Sequence, residues 1–358
     1  MGKAPSKAIG LGGQLPGSPG PFTVGSQLAR VPGSVHVKIF YPAEGEPVQS
    51  RKGYVRKEAV KGLAKGLKHP PFMYKNLLNV KHSMNVEGQP LKPTGDDKFP
   101  VVLFSHGLRG YAEMYSKVCA DVASYGYVVI SMEHEDGSGS YAIKAGESRP
   151  IRYKIQEEGV SDVEFRKPHL AQRRDEIFSL MQYIKSPEAT QGPVANAIQY
   201  ADTNNIFLGG HSFGSATVTT AVADPRIGPH VSSVFLLDPW LNCLDEQDPI
   251  IQNGASGRRF VLLLSEHFVD QSWSTNVGKF VANSPGTPSF YIPGTTHQQF
   301  SDMPFIMNKR LAKSSQSLGP CPKEESQKAI IEVIIALLQA NKDWTTVARE
   351  NNLKKAYV

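Results

Sequence analysis

Apolar residues in this chain gather in short runs that stop at glycine, proline or polar turns, the pattern of buried strands. Phe99-Pro100-Val101-Val102-Leu103-Phe104 leads into Ser105-His106-Gly107, and Ile206-Phe207-Leu208 leads into Gly209-Gly210-His211. Val234-Phe235-Leu236-Leu237 stops at Asp238-Pro239, and Ser289-Phe290-Tyr291-Ile292 stops at Pro293-Gly294. Small residues from Ser215 to Ala223 predict a short helix that packs closely on the sheet and ends before Asp224-Pro225. Ala329 to Leu338, interrupted by Glu332, reads as a buried final helix. Between Arg51 and Lys81, Lys57, Lys61, Lys65, Lys68, Lys75 and Lys81 alternate with Val60, Leu63, Leu67, Phe72, Met73, Leu77 and Leu78, which predicts one or two basic amphipathic helices.

The 358 residues suffice for one domain with loop insertions, expected over 21–358. Residues 1–20 are rich in glycine, serine and proline without apolar periodicity, and a flexible arm is expected there. Cys119, Cys243 and Cys321 are odd in number and far apart, which fits reduced thiols in the cytoplasm better than a disulfide framework. The first residues hold no apolar signal core, and no run of about 18 apolar residues suggests a membrane span. Met1-Gly2-Lys3-Ala4-Pro5-Ser6 does fit the pattern for a myristoyl group on Gly2, and the 51–81 segment would supply the second signal that stable peripheral membrane contact needs. The alternative for 51–81 is a surface helix whose apolar face is core. A net charge of +6 suits anionic lipid. Nucleic acid is not expected, because no recognisable binding module or stacking pattern accompanies the charge.

Chemistry concentrates at the ends of the apolar runs. Gly210-His211-Ser212-Phe213-Gly214 follows a strand and opens a helix, the layout of a nucleophile held on a sharp turn. An acid and a base should then follow at later strand ends, and Asp238 and His297 do so in the order Ser, Asp, His. Ser212 is expected as nucleophile, His297 as general base and acid, and Asp238 as the group that orients the imidazole. The oxyanion is expected to meet two backbone N–H groups, that of Phe213 after the nucleophile and that of Leu108 in the His-Gly turn. His106, His134, His211 and His267 also lie near strand ends; His106 and His211 are read as supports for their loops. No metal is expected, since His134-Glu135-Asp136 lacks ligand spacing, and no nucleotide cofactor is expected without a glycine-rich phosphate loop. These features together predict an α/β-hydrolase fold, a mostly parallel central sheet with helices on both faces.

Several segments together resemble the platelet-activating factor acetylhydrolases of the plasma and cytosolic type. The likeness runs from Gly20-Pro21-Phe22-Thr23-Val24-Gly25 and Ile39-Phe40-Tyr41-Pro42 through Phe104 to Leu108 and Glu133-His134-Glu135-Asp136-Gly137-Ser138. It is sharpest at Gly209 to Thr217, Leu237-Asp238-Pro239-Trp240 and His297-Gln298-Gln299-Phe300-Ser301-Asp302. Ser215 stands where that family usually has a third elbow glycine, and Pro239 where a small residue is usual. Ala142 to Lys167 and the region after Pro304 match poorly, so the pocket walls lie outside the likeness. The resemblance implies a calcium-independent phospholipase A2 that cleaves the sn-2 acetyl, short or oxidised acyl ester of phospholipids, with the same triad and oxyanion residues. A general carboxylesterase, lipase or polyester hydrolase, or a non-catalytic binding protein on the same fold, are the alternatives.

Overall fold

The structure, a computed structural model, describes residues 11–357 apart from Leu67, Ser148, Asp270 and Asn341. One sheet of ten strands runs through it: β1 (Val24–Arg30), β2 (His36–Pro42), β3 (Asn85–Val86), β4 (Phe99–Ser105), β5 (Val128–Glu133), β6 (Ala201–His211), β7 (Val231–Leu237), β8 (Arg259–Ser265), β9 (Ser289–Ile292) and β10 (Lys354–Lys355). The strand order is β10-β9-β8-β7-β6-β4-β5-β2-β1-β3. From β5 across to β9 the neighbours are parallel, while β1 with β2, β2 with β5 and β9 with β10 are antiparallel.

Parallel strands carry layers on both faces, so every residue of their centre is buried and the sequence shows unbroken apolar runs. Alternation along β4 sorts the side chains. With α1 (Lys57–Gly66) and α2 (Ser116–Ala123) before them in the chain, α3 (Asp162–Lys185) supplies Leu170, Ile177 and Leu180, and α4 (Phe213–Ala223) supplies Ala216, to the core that Val101 and Leu103 join. Val102 and Phe104 face the other core, built with Val118 and Val122 of the helix Ser116–Ala123 and with Ile330 and Ile334 of the helix Lys323–Gln339. The buried helix expected over 329–338 is therefore present and longer than its apolar run, its first turn being polar, but it is not the final one, since a further helix, Trp344–Glu350, follows it. Because β4, β6, β7, β8 and β9 are adjacent and parallel, their carboxyl ends meet on one edge, where the candidate residues lie.

Two expectations change. Of the arm expected over 1–20, residues from Leu11 onward pack against the sheet's partners. Leu11 and Leu15 are buried, Gly12 N donates to Ile306 O at 2.8 Å, and Leu15 N donates to Lys81 O at 2.9 Å. A glycine- and proline-rich stretch needs no periodicity of its own when surfaces built by distant residues supply its partners. Residues 1–10, with Gly2, lie outside the described residues. The basic segment forms one α-helix, Lys57–Gly66, and a 3-10 stretch, Pro71–Asn79. Val60 and Leu77 are core, so most of its apolar face is spent on packing, although Phe72 stays 58% exposed among the lysines.

Candidate active site

Ser212 joins β6 to α4 with φ 57° and ψ −119°, a conformation that costs on the order of 1–3 kcal/mol and persists only where surroundings enforce it. Ser212 N donates to Leu237 O at 2.9 Å, and Trp240 N donates to Ser212 O at 3.2 Å. The turn is closed by contact with bare backbone. A Cβ on Gly214 would stand 2.0 Å from Ser105 O, and one on Gly210 would stand 2.3 Å from Gly214 O. Ser215, where a glycine was expected, is accommodated because its hydroxyl donates to Gly210 O at 2.7 Å and Leu237 O at 3.1 Å.

Asp238 ends β7 with φ 42° and is fully buried. Its carboxylate accepts from Ser265 N at 2.5 Å, from Ser265 Oγ at 2.6 Å and from His297 Nδ1 at 2.9 Å. An acceptor-only carboxylate on Nδ1 fixes the imidazole tautomer and leaves Nε2 as the free nitrogen. His297 opens a 3-10 turn whose capping box, Thr296 with Gln299, holds the backbone. Its ring lies between His211, centroids 4.4 Å apart, and Phe268, stacked at 5.5 Å. The structure thus brings Ser212, Asp238 and His297 to one place. Ser212 Oγ and His297 are not yet hydrogen-bonded to each other, a bond that commonly tightens only around substrate.

The loop after β4 touches the serine: a Cβ on Gly107 would be 3.0 Å from Ser212 Cβ. Among the described residues neither Leu108 N nor Phe213 N donates a hydrogen bond, so both remain unspent donors in the two turns beside Ser212. Tyr115 ties this loop to the histidine. Its hydroxyl accepts from Gly107 N at 3.2 Å and donates to His211 Nδ1 at 2.9 Å, and His211 Nε2 in turn donates to His297 O at 3.1 Å. Burial pushes the Tyr115 phenol up and the His211 imidazole down, so both stay neutral and the relay has one direction. His211 therefore supports the loop, as its position in the turn suggested.

Behind the loop sits Arg173 of α3, with no exposed surface. Its guanidinium donates to Asp136 Oδ2 at 2.8 Å, His106 O at 2.9 Å, Ser138 Oγ at 2.7 Å, Thr217 Oγ1 at 3.2 Å and Ser105 Oγ at 3.3 Å, and its carbon lies 4.6 Å from the Phe213 ring centre. One planar fork thereby holds both segments that carry the two backbone donors. Arg173 also keeps the Asp136 carboxyl well below the ordinary carboxylate range, against the cost of burial.

A second array follows the pattern of a triad: Ser105 Oγ is 2.8 Å from His134 Nε2, and His134 Nδ1 is 2.7 Å from Glu176 Oε2. It is sealed, and its charges are quenched. Burial and the nearby Asp136 push Glu176 up to about 8, while burial and Arg173 push His134 down, so at neutral pH this is an uncharged hydrogen-bonded chain. A carboxyl whose pKa is raised on folding stabilises the fold below its unfolded value near 4.5, and that contribution is lost as pH rises through about 8. Between pH 6 and 9 the melting temperature of wild type should therefore fall more than that of Glu176→Gln. Parallel curves would contradict the raised value.

Arg173, Tyr115, Glu176 and Ser265 are not among the residues that the sequence pattern marks for the site. Ser265 ends the apolar run Phe260 to Leu264 and obeys the strand-end rule that located Asp238. The other three lie on helices or loops with no local signature. His211, Asp238 and His297 also bring ligand-type atoms within 4.8 Å of one another. Both His211 nitrogens, both Asp238 oxygens and His297 Nδ1 are already engaged in the bonds above, which leaves a metal one nitrogen.

The fold and this site define a serine ester hydrolase of the α/β-hydrolase class. The sequence profile of platelet-activating factor acetylhydrolase, isoform II, matches residues 10–356, and the chain belongs to that family. A platelet-activating factor acetylhydrolase of Cavia porcellus is 25% identical over 349 residues, covering 91% of this chain and 77% of the relative. One of Canis lupus familiaris is 28% identical over 294 residues, covering 76% of this chain and 64% of the relative. Among solved structures, a ferulic acid esterase from Streptomyces cinnamoneus superposes with a TM-score of 0.71 at 14% identity, covering 96% of this chain and 99% of that one. That likeness speaks for the fold.

Proposed function

We propose that the protein hydrolyses the sn-2 ester of phospholipids bearing acetyl, short or oxidised acyl chains, without calcium. The observation that carries this is the buried Asp238 bound to His297 Nδ1 beside Ser212, with the unspent N–H groups of Leu108 and Phe213 in the adjoining turns. Ser212 Oγ attacks the ester carbonyl and passes its proton to His297 Nε2. The oxyanion is held by the N–H groups of Leu108 and Phe213. Collapse releases the lysophospholipid, whose alkoxide takes the proton from His297, and water then repeats the sequence on the acyl-enzyme. Phospholipid as substrate follows from the relatives, whose names specify platelet-activating factor.

Peripheral contact with a cytoplasmic membrane face fits the exposed Phe72 among lysines and a lipid on Gly2; among the described residues no helix is long and apolar enough to cross a membrane. Sedimentation with anionic vesicles should weaken in both Gly2→Ala and Phe72→Ser when the native protein is compared. Unchanged binding in both variants would remove this part of the proposal.

The activity is tested with purified protein and chelator on phosphatidylcholines carrying acetyl, oxidised short and long sn-2 chains. Release of acetyl and oxidised chains but not long ones is expected. Cleavage of simple soluble esters alone would favour a general esterase, and no turnover of any ester would favour a binding protein.

A further inference from the structure

Arg166, on the first turns of α3, is a buried cation with unmet needs. It is 5% exposed, and its Nε and Nη1 have no hydrogen-bond partner among the described residues. Its polar contact is a long one, Nη2 to Tyr153 Oη at 3.4 Å, and otherwise its guanidinium lies against aromatic rings, 4.5 Å from the centre of Phe165 and 5.6 Å from that of Phe213. No carboxylate stands within 4.0 Å of it among the described residues, not even Asp162 one turn earlier. This contrasts with Arg173, seven residues on, whose donors are met and whose charge is paired. Desolvating an arginine costs several kcal/mol, and folds retain such a group when something else supplies the counter-charge. Aromatic faces recover only a small part of that.

Its position indicates what supplies it. Phe213 carries one oxyanion donor, and Tyr153 links Arg166 to the other side of the site: the Arg109 guanidinium, next to Leu108, lies 4.8 Å from the Tyr153 ring centre. Two arginines without carboxylate partners among the described residues thus flank one tyrosine beside the turns that carry Leu108 and Phe213. Tyr153 is itself partly exposed and belongs to the irregular stretch between β5 and α3. The backbone bonds near it, Ile151 N to Ala142 O and Lys154 N to Gly137 O, both 2.8 Å, stay inside that stretch. Uncovering Arg166 therefore breaks no strand or helix.

We propose that Arg166, with Tyr153 Oη and Arg109, forms the subsite for an anionic oxo group of the substrate, either the phosphodiester of the headgroup or a carboxylate ending an oxidised acyl chain. The proposal rests on the phospholipid reading above and deepens it. A guanidinium fork suits either anion, and a charge-assisted bond in a dry site has large leverage on binding.

The test is Arg166→Gln, with Arg166→Lys as the charge-retaining variant, on matched substrates. The phosphate arm compares 1-alkyl-2-acetylglycerophosphocholine with the neutral 1-alkyl-2-acetylglycerol. The carboxylate arm compares a neutral glycerolipid ester ending in glutaroyl with its glutaroyl methyl ester. Arg166→Gln should raise KM on the order of 10- to 100-fold for the anionic member of one arm and leave its neutral partner within about threefold, with Arg166→Lys between. The arm that responds identifies the source. Equal losses on charged and neutral members, or no loss on any, would overturn the subsite. If wild type cleaves no ester, the phospholipid reading fails by itself. Calorimetric binding of a dialkyl glycerophosphocholine against the dialkyl glycerol then decides the subsite, with an equal effect of Arg166→Gln on both overturning it.

Discussion

Ester turnover falls on the order of 10^6-fold when Ser212 is replaced by Ala, with the fold kept. The loss is large because nucleophile, base and orienting acid act as a unit, so removing one leaves only binding and the oxyanion donors at work. The fold survives because Ser212 Oγ holds no hydrogen bond among the described residues, while the turn is maintained by Ser212 N on Leu237 O, Trp240 N on Ser212 O and the bare backbones of Gly210 and Gly214. Alanine at φ 57° is as strained as serine, so stability should move by less than about 1 kcal/mol. Single-turnover kinetics with a thermal melt alongside decide the matter. A variant that keeps a tenth of the activity would place the nucleophile elsewhere.

Asp238→Asn should slow the reaction by about 10^4-fold. All three donors around Asp238, namely Ser265 N, Ser265 Oγ and His297 Nδ1, need an acceptor, and the carboxylate is acceptor on both oxygens. An asparagine must turn its amide NH2 toward one of them. Turned to His297, it forces the proton onto Nε2, the nitrogen that must accept from Ser212; turned to Ser265, it faces a backbone N–H and leaves a buried donor unmet, at about 1–3 kcal/mol. The pH dependence of kcat and the melting temperature, measured together, separate the two placements. A variant within tenfold of wild type would show that His297 needs no partner here.

Those two substitutions fall on residues that were legible because each ends a short apolar run. A parallel sheet buries its strands on both faces, so hydrophobicity marks their extent, and the polar residue that follows marks the edge where chemistry is done. β9 came out with the bounds its apolar run predicted, Ser289–Ile292, whereas β6 begins at Ala201, several residues before its apolar run. Of its early part, Ala201 and Asp202 pair with Phe99 and Pro100, and the register then shifts across the polar Thr203 to Asn205, which carry no period to read.

Sequence by itself singled out Ser212, Asp238 and His297 in their chain order as candidates, with the glycines of the elbow and the two-sided sheet, because these depend on local spacing and backbone geometry. Tertiary structure alone decided what holds them. Arg173 grips His106 O and the Phe213 ring from a helix between them in sequence, Tyr115 relays the loop to His211 and His297, and Gly12 and Leu15 find their backbone partners at Ile306 and Lys81. It also set Arg166 apart from Arg173, two arginines on the same helix of which one is paired and one is left without a counter-charge. Such contacts join residues separated by dozens to hundreds of positions. A one-dimensional pattern records which side chains must be buried, but the direction of a hydrogen bond and the partner of a charge exist only after the chain has closed on itself.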